Sequence, residues 1–403
     1  MNLNTPFEIY NRKIMNRVLL QPMEGCDGEE SGAIGELTRR RYLRFAKSGA
    51  GIIWFEATAV TPEGRANPRQ LYLNENTAES YKSLVAEIKA TAKAECGFEP
   101  IIIVQLTHSG RFSKPHGTPE PIVAYRNSHW EKGRENQPYT VATDEYLSTI
   151  PSAYARAAKL AEEVGFDGID VKCCHGYLFN ELLSAYDREG AYGGSFENRT
   201  RLYFDCIDAV KNSVTDAFVT TRFNACDCFP YPYGYGVTEN DEIDLTEAKK
   251  IISILRSKGV ELVDITLGNP YLIPHINRPC INSPEDGNIG MERIRRVTKD
   301  LKESFPDVKI AMSGLTYEGE NALDYAEKML SDGVADVMGF GRMTFAYPTF
   351  YRDFVAEGKL DKSRVCLKCS KCTELMRAGT VAGCPVRDSE VYMPYYKKYV
   401  LGR

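Results

Sequence analysis

Residues 101–111 read Ile-Ile-Ile-Val-Gln-Leu-Thr-His-Ser-Gly-Arg. An unbroken run of β-branched residues is how a strand buried on both faces reads, and such strands belong to parallel sheets flanked by helices. The run ends in Gln105 and His108, side chains built for hydrogen bonding rather than packing. Residues 168–177, Gly-Ile-Asp-Val-Lys-Cys-Cys-His-Gly-Tyr, repeat that order of apolar strand followed by chemistry. Polar groups collected where strands stop are the mark of a β/α enzyme.

Working outward, strands are expected near Val18 to Met23, Gly51 to Ala57, Ile101 to Thr107, Gly168 to Cys174, Phe218 to Asn224, Leu262 to Leu267, Val308 to Ser313 and Ala335 to Gly341. Amphipathic helices are expected between them, as at Ser152 to Val164, Glu197 to Lys211, Thr246 to Lys258 and Glu318 to Ser331, several ending at a glycine suited to a helix C-cap. Eight such units predict an α/β fold of the (β/α)8 TIM barrel type. The unusual residues each follow or end a strand: Pro22-Met23, Glu56-Ala57, Gln105 with His108, His175 with Tyr177, Arg222 with Asn224, Ser313-Gly314 and Gly341-Arg342. A barrel gathers them on one face; a doubly wound sheet, the weaker alternative, would spread them along a crevice. The expected organisation is a barrel over residues 1–354 with a capping insertion at 112–150, then a cysteine-bearing extension over 355–403.

Composition excludes several classes. The 403 residues are 43% apolar and 26% charged, ordinary for a globular chain able to bury a large core. A net charge of −5 offers no basic surplus for a phosphate backbone, so no nucleic-acid partner is expected. No apolar stretch approaches membrane-spanning length, and Met1 to Arg17 lacks the apolar centre of a signal peptide, so a cytoplasmic protein without a membrane partner is expected.

Twelve cysteines in a large, unsecreted chain point to burial or metal rather than disulfides. Only Cys366, Cys369, Cys372 and Cys384 form a spaced set, with Pro385 following the last. Three thiols two residues apart plus a remote fourth suit a 4Fe-4S cluster. Structural zinc prefers two separated pairs, and zinc or an empty site stays the alternative.

Several separated motifs carry a resemblance. They are Asn16-Arg17-Val18 through Pro22-Met23, Gln105-Leu-Thr-His-Ser-Gly-Arg111, Gly165-Phe-Asp-Gly168, His175-Gly-Tyr-Leu178 and Tyr192-Gly-Gly-Ser-Phe-Glu-Asn-Arg199. Together they resemble the Old Yellow Enzyme family of NADH:flavin oxidoreductases, and within it the 2,4-dienoyl-CoA reductase-like branch. The resemblance implies FMN. Pro22, Met23 and Ala57 match positions against the flavin, and Gln105 the glutamine on its pyrimidine edge. Arg222 matches the cation near N1, and Ser313, Gly314, Gly341 and Arg342 the phosphate site. NADH or NADPH is the implied electron donor, and a small-molecule alkene the implied substrate.

In this family the proton donor is commonly a tyrosine two residues after the position held here by His175, which assigns Tyr177 as acid and His175 to the substrate carbonyl. Lys172 stands where many members have histidine, and could bind a carboxylate, line the flavin or point away. His275, in the loop after strand six, is a further substrate-binding candidate. Glu24 replaces a usually small residue beside the flavin. The expected function is an FMN-dependent ene-reductase acting on an α,β-unsaturated carbonyl: an enoate, an enoyl thioester, or a ring substrate such as a flavonoid or steroid enone. Tyr125, His129, Trp130 and Tyr139 in the insertion suggest an aromatic-lined lid. The alternative is an electron-transfer or amine dehydrogenase subunit served by a separate electron-donor protein. Relatives with the cluster tail carry FAD- and NAD-binding domains beyond it; no G-x-G-x-x-G follows a strand here. A homo-oligomer is expected.

Overall fold

The eight expected strands all form, and they close into one parallel barrel. A computed structural model describes residues 2–133 and 135–403. A hairpin of β1 (Phe7–Ile9) and β2 (Arg12–Ile14) precedes the barrel strands β3 (Val18–Leu20), β4 (Ile52–Ala59) and β5 (Ile101–Thr107). Two short strands of the insertion, β6 (Ile122–Val123) and β7 (Thr140–Val141), pair only with each other. The barrel continues with β8 (Gly168–Val171), β9 (Phe218–Asn224), β10 (Leu262–Thr266), β11 (Lys309–Met312) and β12 (Val337–Phe340). Its order is β3-β4-β5-β8-β9-β10-β11-β12, with β12 pairing back to β3. The open-sheet alternative is thereby excluded.

Alternation along the strands divides the apolar residues in two. Val18, Leu20, Ile53, Phe55, Ile102 and Val104 join the core shared with the helices, while Leu19, Ile52, Trp54 and Ile103 fill the barrel's lower interior with Phe7, Ile9 and Ile14 of the hairpin. Tyr10 and Asn11 both have positive φ, the backbone a tight two-residue hairpin turn requires. Tyr10 then stacks on Phe218 at 4.3 Å, so the hairpin plugs the N-terminal end of the barrel.

The expected capping insertion, 112–150, runs into the following helix. Its last residues belong to the helix Asp144–Glu163, where the sequence predicts a start at Ser152. Thr143 caps this helix, accepting the Tyr146 N–H, and Pro151 sits inside it rather than at its beginning. A proline reads as a helix start because its missing N–H is free there; a strong cap and a buried stripe of Leu147, Ile150 and Tyr154 override that local signal. Phe354 lies within the helix Phe350–Glu357, which ends at Gly358 with φ 71°.

Beyond Gly358 the helices Lys371–Arg377 and Ser389–Tyr399 pack against each other through Leu375, Val381, Tyr392 and Tyr396. The extension is sewn to the barrel by Arg40 and Arg44, both paired with Asp388, and by Ala382 N donating to Gly25 O at 2.6 Å. Among the described residues no helix is long and apolar enough to cross a membrane.

Candidate active site

Above the plug, the barrel interior turns polar. Trp54 Nε1 donates to Asp170 Oδ2 at 2.8 Å, and Gln105 Nε2 donates to the same oxygen at 2.6 Å. The β5–β8 register places Gln105 opposite Asp170, and the β9–β10 register places Arg222 opposite Asp264. Asp264 accepts from Gln21 Nε2 at 2.9 Å and stands 2.9 Å from Arg222 Nε. Burial pushes Asp170 up to about 7. It pushes Asp264 up to about 6, opposed by the Arg222 charge. These carboxylates hold Gln105 and Arg222 in place from below. Sequence reasoning missed Gln21, Asp170 and Asp264; the available signal was a lone polar residue inside or just beyond an otherwise apolar buried run.

The C-terminal strand ends enclose a cleft of about 1110 Å³ that opens to solvent. Pro22, Met23, Ala57, Gln105, Arg222, Ser313, Gly314, Gly341 and Arg342 all line it, as do Lys172, His175 and Tyr177. His275 stands outside; Asn277 and Arg278 of the same loop line the cleft instead. Tyr125, His129, Trp130 and Tyr139 do not line it. Trp130 is buried against Phe229 and under the Arg111 guanidinium, and His129 stacks on Tyr233, so these rings brace the cap.

The cleft fits an anionic, amide-bearing cofactor such as FMN on its own polar inventory. Gln21 Oε1 and Arg342 Nη1 are buried without a hydrogen-bond partner among the described residues. Buried orphans of this kind are costly unless a ligand satisfies them. Arg342 Nη2 donates to Pro279 O at 2.6 Å, leaving its other amino group for an anion beside Ser313, Gly314 and Gly341. At Gly341 a Cβ would come within 2.9 Å of Met23 Sδ, so glycine keeps this wall of the cleft open.

Across the cleft stand the residues assigned to substrate. His175 and Gly176 both have left-handed backbone, φ 67° and 70°; a Cβ at Gly176 would sit 2.2 Å from Asn269 Nδ2. Burial and the Lys172 and Arg222 charges hold His175 well below its usual value, so the imidazole is neutral. Asn277 Nδ2 lies 3.4 Å from its Nε2. The buried Tyr177 hydroxyl lies 2.8 Å from that of Tyr271, whose ring stacks on Phe112 at 3.8 Å. Burial raises the Tyr177 phenol well above its ordinary value. Lys172 Nζ lies 3.8 Å from the Tyr177 ring centroid. Lys172 and Glu24 both line the cleft: burial lowers Lys172 and raises Glu24, and each charge opposes the shift of the other. Glu24 also accepts from Asn67 Nδ2 at 2.8 Å.

Cys372 of the extension lines this cleft together with Met376 and Arg377. Cys366 and Cys384 each accept a backbone N–H on sulfur, from Lys368 at 3.4 Å and Arg387 at 3.3 Å. Burial pushes the Cys366 thiol up to about 11, and the Arg342 guanidinium opposes it. Among the described residues no three His, Cys, Asp or Glu side chains gather tightly enough to hold a single metal ion. A second groove of about 1090 Å³, lined by Phe112, Lys114, Pro119 and Gln137, shares Glu24, Tyr271, Met376 and Arg377 with the cleft.

Comparison with known proteins gives a consistent picture. A profile of the NADH:flavin oxidoreductase / NADH oxidase family matches residues 2–359. An NADPH dehydrogenase of Clostridium acetobutylicum is 29% identical, the alignment covering 87% of this chain and 93% of the relative. An NADH oxidase of Thermoanaerobacter brockii is 25% identical over 92% of this chain and 53% of its own length. Among solved structures, 2-naphthoyl-CoA reductase in complex with 2-naphthoyl-CoA superposes with a TM-score of 0.78 at 22% identity, covering 96% of this chain and 56% of that one.

Proposed function

The chain belongs to the NADH:flavin oxidoreductase / NADH oxidase family, and from that premise we propose that it is an ene-reductase with Tyr177 as proton donor. It is an NAD(P)H-dependent flavin oxidoreductase, and FMN is the flavin. One observation carries the finer reading: the same cleft is lined by the flavin-type set around Gln105 and Arg222 and by His175 and Tyr177.

Gln105, Arg222, Ser313, Gly314, Gly341 and Arg342 would hold FMN, which would supply the hydride-transfer chemistry between NAD(P)H and the β-carbon of an alkene. Gln105 and Arg222 are pre-positioned by Asp170 and Asp264 to meet the flavin's polar edge, so little reorganisation accompanies the change in charge. His175, neutral and half-buried, hydrogen-bonds the carbonyl oxygen of the substrate. Tyr177 keeps its proton at neutral pH and gives it to the α-carbon, which is basic enough to take it once hydride has arrived. The Tyr271 hydroxyl and the Lys172 ammonium then stabilise the remaining phenolate. The adjoining groove gives a ring-bearing or extended substrate room beyond the reacting bond.

In this reading Cys366, Cys369, Cys372 and Cys384 hold a 4Fe-4S cluster. A cubane takes one thiolate at each of four irons, so its ligands stand farther apart than four around one zinc. The sulfur-directed N–H groups and the Arg342 charge oppose the burial that raises these thiols. Cys372 lies in the flavin-side cleft, which supports a second reading in which a separate protein supplies electrons through the cluster. Amine oxidation is disfavoured, because the Lys172 ammonium already occupies the face of Tyr177 that a substrate cation would need.

Anaerobic NADH or NADPH should bleach the bound flavin without a partner, and an electron-poor alkene should restore its colour. In Tyr177→Phe bleaching should survive while alkene reduction falls on the order of 10²-fold or more. Reoxidation by alkenes at the wild-type rate in that variant removes Tyr177 from the chemistry. Iron and acid-labile sulfide that vanish in Cys372→Ser are the expected signature of the cluster.

A further inference from the structure

Directly beyond β9, the segment Cys226-Asp227-Cys228 folds back so that the two sulfurs lie 3.4 Å apart. Cys228 N also donates to Cys226 Sγ at 3.2 Å, and Cys228 has a left-handed φ of 55°. The two thiols differ in access: Cys226 is buried and Cys228 is partly exposed.

We propose that Cys226 and Cys228 are a redox-modification site that closes to a disulfide by exchange with a small-molecule disulfide. The partly exposed Cys228, as its thiolate, attacks one sulfur of that disulfide, forming a mixed disulfide and releasing one thiolate. Cys226, already beside it, gives up its proton and displaces the second thiolate. Two protein thiols are oxidised and one small disulfide is reduced to two thiols.

The consequence reaches the catalytic turn through the residue between the cysteines. Asp227 Oδ1 accepts from Asn180 Nδ2 at 3.0 Å and from Asn224 Nδ2 at 2.6 Å. Asn180 Oδ1 in turn accepts the N–H of Gly176 at 2.6 Å, the residue joining His175 to Tyr177. All of these partners are buried, so the segment cannot tighten without shifting them. Bonding sulfurs now 3.4 Å apart draws the backbone on either side of Asp227 together and disturbs the His175–Tyr177 geometry.

Oxidised glutathione, added to the FMN-loaded enzyme, should lower NAD(P)H-dependent turnover on the order of tenfold, the scale of a misplaced catalytic group. Dithiothreitol should restore it. In peptide mapping after alkylation, the peptide with Cys226 and Cys228 should refuse label and lose the mass of its two thiol hydrogens. Cys228→Ser and Cys228→Ala should both keep full turnover and ignore the oxidant. The proposal is overturned if both cysteines stay alkylatable after treatment, if the disulfide forms with turnover unchanged, or if the Cys228 variants are inactivated like the parent.

Discussion

At the floor of the barrel Phe7, Ile9, Ile14, Trp54, Ile103 and Leu262 pack on one another, with the Arg17 guanidinium 4.9 Å from the Phe7 ring centre. Farther along the barrel, Asp170, Arg222 and Asp264 are as deeply buried, and Gln21 and Arg342 keep polar atoms with no partner among the described residues. The floor is complete in itself, since apolar surfaces need only each other. The mouth carries a polar inventory that protein alone leaves unpaid, which is what a binding site looks like before its ligand arrives. Trp54 joins the two: its ring belongs to the floor and its indole N–H to Asp170.

That division can be broken at four points. Trp54→Ala should cost the most, about 3–5 kcal/mol of stability from the cavity it leaves, and it should also loosen Gln105 through Asp170. Denaturant unfolding measures the first effect and FMN content the second; a variant with unchanged stability would mean the plug does not hold the barrel. Arg222→Met acts on the mouth alone. Turnover should fall on the order of 10²-fold or more, with a far-ultraviolet dichroism spectrum like the parent's, whereas wild-type kinetics would sever Arg222 from the flavin.

Asp170→Asn tests the buried carboxyl. Its pKa is raised from 3.8 to about 7, so between those values the folded state keeps a proton that the unfolded state has released. Stability from this group is therefore present at low pH and lost as pH rises through about 7. Melting temperatures measured from pH 4 to 8 on apoprotein should decline less steeply in the variant, and parallel curves would show that Asp170 does not titrate in that range. The smallest effect is Ile14→Val, about 1 kcal/mol, with FMN content and kcat untouched, because the floor takes no part in chemistry. An activity loss there would erase the distinction between the two ends.

Much of this was readable along the chain. The eight apolar runs gave the barrel, and Gln105, Arg222, Ser313 and Arg342 stood out because a polar residue at the end of a buried strand has no packing reason to be there. The helix start expected at Ser152 fell too late, because the Thr143 cap and the buried stripe of Leu147, Ile150 and Tyr154 carry the helix back to Asp144. His275 misled for a related reason: loop residues close in sequence point in different directions, and Asn277 and Arg278 are the ones that turn inward.

What the sequence by itself determined is periodicity and residue type: alternating burial, the order of strands and helices, and the spacing of Cys366, Cys369, Cys372 and Cys384. Tertiary structure alone decided the pairings, because which strand lies beside which, and in what register, is a long-range matter. Only closure of the barrel set Asp264 beneath Arg222, lined one cleft with both Glu24 and Lys172, brought Tyr271 to Tyr177 and put Cys372 into that cleft. Such contacts join residues far apart in the chain, and their energy depends on distance and burial, which no local pattern encodes.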